Sequence, residues 1–211
     1  MEAIYKMIKK HLTLILISLG LLLLLVATFQ YPGGTADNPA SAGYDWKENF
    51  ITNLLNPLAL NGMENAARPW AVGGVLCLSA AFGVFFSRFS TRISIKSAAF
   101  VIRYVGAAAA FCAFLTVIPP LHDRMVLFSG VMTLLVFFYI TVLVLKSTLL
   151  FWKLYSVFAL LMLYFATFMY FGGVLLAYLA IMQKTIHLLQ FIWILGLEYF
   201  TGKEDFAHIK K

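Results

Sequence analysis

Charged residues are scarce in this sequence, at 12% of 211 positions against 62% hydrophobic. A soluble domain of this size needs roughly a quarter of its residues charged to cover its surface, so a water-soluble fold is excluded. Dense basic runs are also missing. The formal net charge of +7 is spread between apolar stretches, which leaves no patch to neutralise a nucleic-acid backbone. Cysteine is limited to Cys77 and Cys112, both inside apolar runs, where thiols act as small core residues and not as a disulfide framework or metal site. There is no nucleotide-binding glycine loop, no haem-ligand pair and no mid-membrane acid suited to energy coupling, which disfavours pumps and redox carriers.

What the sequence does contain is apolar length. About 20 apolar residues cross a hydrocarbon core as a helix, and the runs here predict one all-α membrane domain over 1–211 with six transmembrane helices. The expected spans are 12–29, 70–86, 98–118, 125–145, 154–182 and 183–200. Lys6, Lys9 and Lys10 precede the first run as in a signal peptide. That run is longer than a usual h-region, however, and no A-x-A site follows, so it reads as a retained anchor. The last turn has two placements, at Gly172-Gly173 or near Gln183. The second keeps Lys184 out of the membrane centre, where a lysine is costly, and is the one expected.

Lysine and arginine set the orientation. With the N-terminus inside, eleven of them fall on the inner side and four (Lys47, Arg68, Arg124 and Lys184) on the outer side. Both termini are therefore expected in the cytoplasm of a bacterial-type plasma membrane, with 30–69 as a long outer loop. Within it, the stretch 44–55 reads as a short interfacial helix, with Asp45, Asn49, Asn53 and Asn56 forming one polar stripe. Asp45 with Glu48 has the spacing of a capping box.

Polar residues that are expensive near hydrocarbon recur in three outer segments. We single out Asn49, Asn53, Asn65 and Arg68 from the first loop; His122, Asp123 and Arg124 before helix four; and Lys184 and His187 at the start of helix six. Their convergence on one side predicts an outward polar pocket. Glu64 with Arg68 is expected as a surface ion pair, and Arg103 with Glu198 as a structural pair between helices three and six. A zinc hydrolase would need three ligands and an open position, drawn from His122, His187, Asp123 and Glu48. No spacing puts two of these on one helix face. A D-W-x-E-N stretch resembles the alkaline ceramidases, but the outer histidines are too few for their site. Ser129-Gly130 with His187 is similar to the rhomboid dyad, yet Leu127 stands where that motif has glycine.

Tyr31-Pro32-Gly33-Gly34-Thr35, then Gly43-Tyr44 followed by Asn49-Phe50-Ile51 and Leu54, then Gly62 and Asn65, resemble the six-helix membrane proteins of the domain-of-unknown-function 998 family. The resemblance extends to His122 before helix four and Lys184 opening the last helix. Asn53 and Leu55 depart from the acidic residue and glycine usual there. What the resemblance implies is a six-helix fold and an outer site, without a reaction, and a layout similar to eukaryotic proteins that handle lipids. Three functions are carried forward. The leading one is an outward pocket, built by the nine residues above, that binds a lipid headgroup or small amphiphile, with membrane lipids as partners and no cofactor. The second is a metal-dependent hydrolase with zinc. The third is a scaffold whose first outer loop docks a protein.

Overall fold

The computed structural model describes residues 1–209. Six helices are long and apolar enough to cross a membrane, and the chain is read here as an integral membrane protein. They are α1 (Glu2–Gln30), α2 (Arg68–Ser90), α3 (Lys96–Leu115), α4 (His122–Leu145), α5 (Leu150–Gly172) and α6 (Leu179–Phe200). A short α7 (Glu204–Ala207) follows. Strands are absent among the described residues, apart from two isolated bridges, Gly33 with Ala42 and Leu58 with Glu64. One end of the bundle carries the loop 31–67 and is called the loop end. The other carries Arg88, Arg92 and most of the lysines and is called the basic end.

Close helix approach follows from small residues, as expected for apolar helices with no hydrophobic drive between them. A Cβ on Gly20 of α1 would lie 2.7 Å from Leu78 of α2, and one on Gly74 would lie 2.8 Å from Leu24. These two glycines let α1 and α2 press backbone to backbone. The helix α3 is not uniformly α: Val101–Val105 is a π turn, followed by Gly106, whose bare Cα faces the Phe86 ring.

The core has two parts. In the basic half, Phe85, Phe86, Phe89, Phe137 and Trp193 are fully buried. Phe137 stacks on Trp193 at 4.0 Å between centroids, and the Trp193 Nε1–H donates to Ser156 Oγ at 2.7 Å. The second part joins the loop to α1 and α2 through Leu24, Ala27, Tyr31, Leu54, Leu55 and Ala71.

Three expectations are corrected by these contacts. The last turn lies at Gly172-Gly173 and not near Gln183. Gly173 takes the left-handed conformation that ends a helix, and the next helix begins at Leu179, so Lys184 and His187 sit inside α6. Glu198 does not pair with Arg103. Its carboxylate reaches Arg88 at 2.7 Å and Arg92 at 3.3 Å. Glu64 and Arg68 form no ion pair; the Arg68 Nε–H donates to the carbonyl of Leu55 at 3.1 Å.

Candidate functional site

The loop 31–67 is built by its own polar side chains. Gly33 and Gly34 have φ of +134° and +89°, a region open mainly to glycine. A side chain on Gly33 would strike the Ser41 carbonyl, and one on Gly34 the Asn61 amide. Asn49 is fully buried; it donates to the Gly34 carbonyl at 2.9 Å and accepts from the Asp45 amide at 2.8 Å. Asp45 Oδ1 in turn accepts from the amides of Lys47 and Glu48. Asn53 exchanges bonds with Phe50, accepting its amide at 2.6 Å and donating its own to the Phe50 carbonyl. The expected helix over 44–55 is therefore a turn at 46–48 followed by a 3₁₀ segment, Ile51–Leu55. The side-chain bonds of Asn49 and Asn53 divert the intervening backbone from an α ladder.

Two tyrosines brace the loop. Tyr31 is buried, and its hydroxyl accepts from the Leu60 amide at 3.0 Å. The Tyr44 hydroxyl donates to the Asn49 carbonyl at 2.9 Å. Burial pushes both phenols above their ordinary range, so neither supplies a phenolate near neutral pH.

Beneath the loop lies a cavity of about 660 Å³ to which all six helices contribute, within the range of small-molecule sites. One wall is apolar: Leu21 and Leu24 of α1, with Val75, Leu78 and Phe82 of α2. The lining is apolar elsewhere too, including Leu179, Ile186 and Phe191 of α6, and its few polar groups lie mainly on α6 and α4. Gln183, His187 and Gln190 recur at i, i+4 and i+7 along α6, facing Ser129 and Thr133 of α4, with His122, Asp123 and Lys184 towards the loop end. The roof is made by Trp46, Phe50, Ile51, Thr52 and Leu55. Two adjacent residues of α6 hold it: Gln183 Oε1 accepts the Ile51 amide at 2.8 Å, and Lys184 Nζ donates to the Asn49 carbonyl at 2.6 Å.

No family model, curated protein or solved structure matches the chain. The site is thus read from its own chemistry.

Lys184 spends two of its three N–H groups on the carbonyls of Asn49 and Ala180 and forms no ion pair among the described residues. His122 Nδ1 lies 2.7 Å from the Thr116 carbonyl, and His187 Nδ1 lies 3.4 Å from Gln190 Oε1. In each ring Nδ1–H is the donor, which leaves Nε2 as an acceptor. The cavity therefore offers a cation, amide donors and imidazole acceptors together.

Of the nine residues expected at a pocket, His122, Asp123, Lys184 and His187 line the cavity. Asn49, Asn53, Asn65 and Arg68 do not; they bond the loop backbone. Arg124 is exposed outside the lining. Glu48 also lies outside it, and among the described residues no three His, Cys, Asp or Glu side chains stand together as a metal-ligand set. Gln190, which sequence reasoning did not single out, continues the Gln183 and His187 stripe seven residues on. That spacing was its only signal.

Proposed function

We propose that the cavity binds an amphiphile with a hydrogen-bonding headgroup, its apolar part against α1 and α2 and its polar part along α6. The observation that carries this reading is the row of Gln183, His187 and Gln190 along α6 within a lining that is otherwise mostly apolar. A wholly apolar ligand would leave the remaining capacity of those groups, the amide N–H donors and the imidazole Nε2, without partners. A head that carries hydroxyls beside its phosphate, such as a glycerophosphate, meets them all: Lys184 and the amides donate to its oxygens, and the two Nε2 atoms accept from its hydroxyls.

The test uses a fluorescent single-chain phospholipid titrated into the purified protein. Lys184→Met combined with His187→Leu keeps volume and removes the polar contacts. Binding is expected to weaken at least about tenfold, since that corresponds to only about 1.4 kcal/mol. Wild-type affinity in the double variant would sink the reading. Stoichiometric zinc, lost on replacing His122 and His187 with alanine, would favour the hydrolase instead.

The same reading puts the loop end outward and both termini in the cytoplasm of a plasma membrane, on the strength of the lysine and arginine asymmetry. With Cys77 and Cys112 replaced by alanine, a cysteine at Ala36 is expected to react with an impermeant reagent in intact cells. Cysteines at Ser94 and Thr148 are expected to stay unlabelled. The reverse pattern would overturn the orientation.

A further inference from the structure

Arg103 belongs to neither the cavity nor the ion cluster at Glu198. It sits in the π turn Val101–Val105 of α3 and is exposed on the outside of the bundle, as are Lys96, Phe100, Tyr104, Ala107 and Phe111. Among the described residues no carboxylate lies within ion-pair distance of Arg103 or Lys96. The neighbours of Arg103 are aromatic. Its guanidinium lies 5.8 Å from the Tyr104 ring centroid, and Tyr104 packs on Phe100 at 4.6 Å.

An exposed arginine on a membrane-spanning helix meets either lipid or a partner. Seven residues separate it from Lys96, roughly 10 Å along the helix, so it stands well inside the span while Lys96 marks the basic end. Arginine side chains in this position lay their stems along apolar surface and turn the head towards the interface. Here the stem would run past Phe100 and Tyr104, which bring the guanidinium and the Lys96 ammonium towards one another at headgroup depth. Two exposed cations on one helix face, flanked by rings and without a counter-ion among the described residues, suit an external anion.

We propose that this face of α3 is a binding site for the phosphate of an anionic phospholipid, with Arg103 as the bidentate contact, Lys96 as the second charge, and Phe100 and Tyr104 packing the first acyl carbons. Arginine suits this role because its planar fork matches phosphate oxygens. The site is separate from the cavity, none of whose lining it shares.

Native mass spectrometry of the full chain, with phosphatidylglycerol or phosphatidylcholine of equal chain length added, tests the assignment. Wild type is expected to retain phosphatidylglycerol about tenfold better, because phosphatidylcholine offers the same phosphate but sets its quaternary ammonium against the Arg103 and Lys96 charges. Arg103→Gln and Lys96→Gln are each expected to lose most of that preference, while Lys153→Gln, at the same end of the bundle, keeps it. Among the described residues the Arg103 side chain makes no hydrogen bond, so its replacement leaves the bonding of the fold intact, and Arg103→Lys is expected to restore part of the preference. An unchanged preference in Arg103→Gln would overturn the proposal. So would a preference lost equally in Lys153→Gln, which would mean diffuse charge attraction. A change of oligomeric mass in Arg103→Gln without loss of lipid would give the face to a protein partner and also overturn it.

Discussion

Glu198→Ala is expected to lower stability by roughly 3–5 kcal/mol, the cost of leaving buried cations without their partner. The Glu198 side chain is only 5% exposed, and it faces Arg88 at 2.7 Å and Arg92 at 3.3 Å, themselves 26% and 15% exposed. Removing it would leave two guanidinium groups side by side. Arg92 already feels this: burial lowers its pKa, and the Glu198 charge is the largest opposing influence. The cluster also ties three helices together. Arg88 donates to the carbonyls of Lys9 and Lys10 of α1, while Arg92 donates to the carbonyls of Leu197 and Glu198 of α6. In detergent, a fall in Tm of more than about 6 °C is expected for a chain of this length, with Glu198→Gln losing less because its amide oxygen still accepts one bond. A Glu198→Ala protein melting with the wild type would show that the cluster is not a fastening.

Asn65→Ala is expected to loosen the whole loop. Asn65 is 4% exposed, and its Nδ2 lies 3.3, 3.2 and 2.8 Å from the carbonyls of Asn53, Leu54 and Asn56. Its Oδ1 accepts the Ala67 amide at 3.1 Å, just ahead of α2. One side chain therefore joins the 3₁₀ segment to the start of a membrane helix. Truncation strands several buried carbonyls, at about 2–3 kcal/mol in total. Asn65→Asp would be no milder, since an ionised carboxylate donates to none of these carbonyls. Hydrogen exchange across 50–60 measures the effect; protection unchanged in Asn65→Ala would refute it. The bound lipid analogue should weaken in parallel, because Phe50 and Leu55 roof the cavity.

The helical class and the six apolar spans were legible from run length alone, because the cost of an unpaired backbone in hydrocarbon leaves helices as the only spanning form for such runs. The turn between α5 and α6 was not. Penalising a lysine in the membrane moved the expected turn to Gln183, but Lys184 instead finds two carbonyl acceptors and the Tyr44 ring at 5.6 Å. Tertiary partners of this kind are invisible in a linear sequence. The same blindness explains Asn49, Asn53 and Asn65. Their polarity near an apolar helix pointed to a ligand, whereas each is consumed by backbone groups that the tight loop leaves unpaired. The residues behind the family resemblance share this fate: Tyr31, Gly33, Gly34, Asn49 and Asn65 all shape the loop. Lys184 and His187 do line the cavity, but from inside α6 and not from its outer start, where polar groups must find polar company. Arg103 and Glu198 were paired by depth alone, which ignores the direction each helix face points.

Gln183 and Lys184 are consecutive residues, and each grips the loop at a different point, Ile51 and Asn49. A helical turn shifts as one rigid piece, so displacing it breaks both bonds together and never one alone. Lifting the roof by that route is then an all-or-none event. At about 1 kcal/mol net per bond, the two together lower the open population roughly thirtyfold. A ligand that binds only the open form would lose that same factor from its apparent affinity. On the proposed reading Gln183 and Lys184 also face the headgroup, so removing either one frees the roof only by giving up a ligand contact, and the net result is weaker binding.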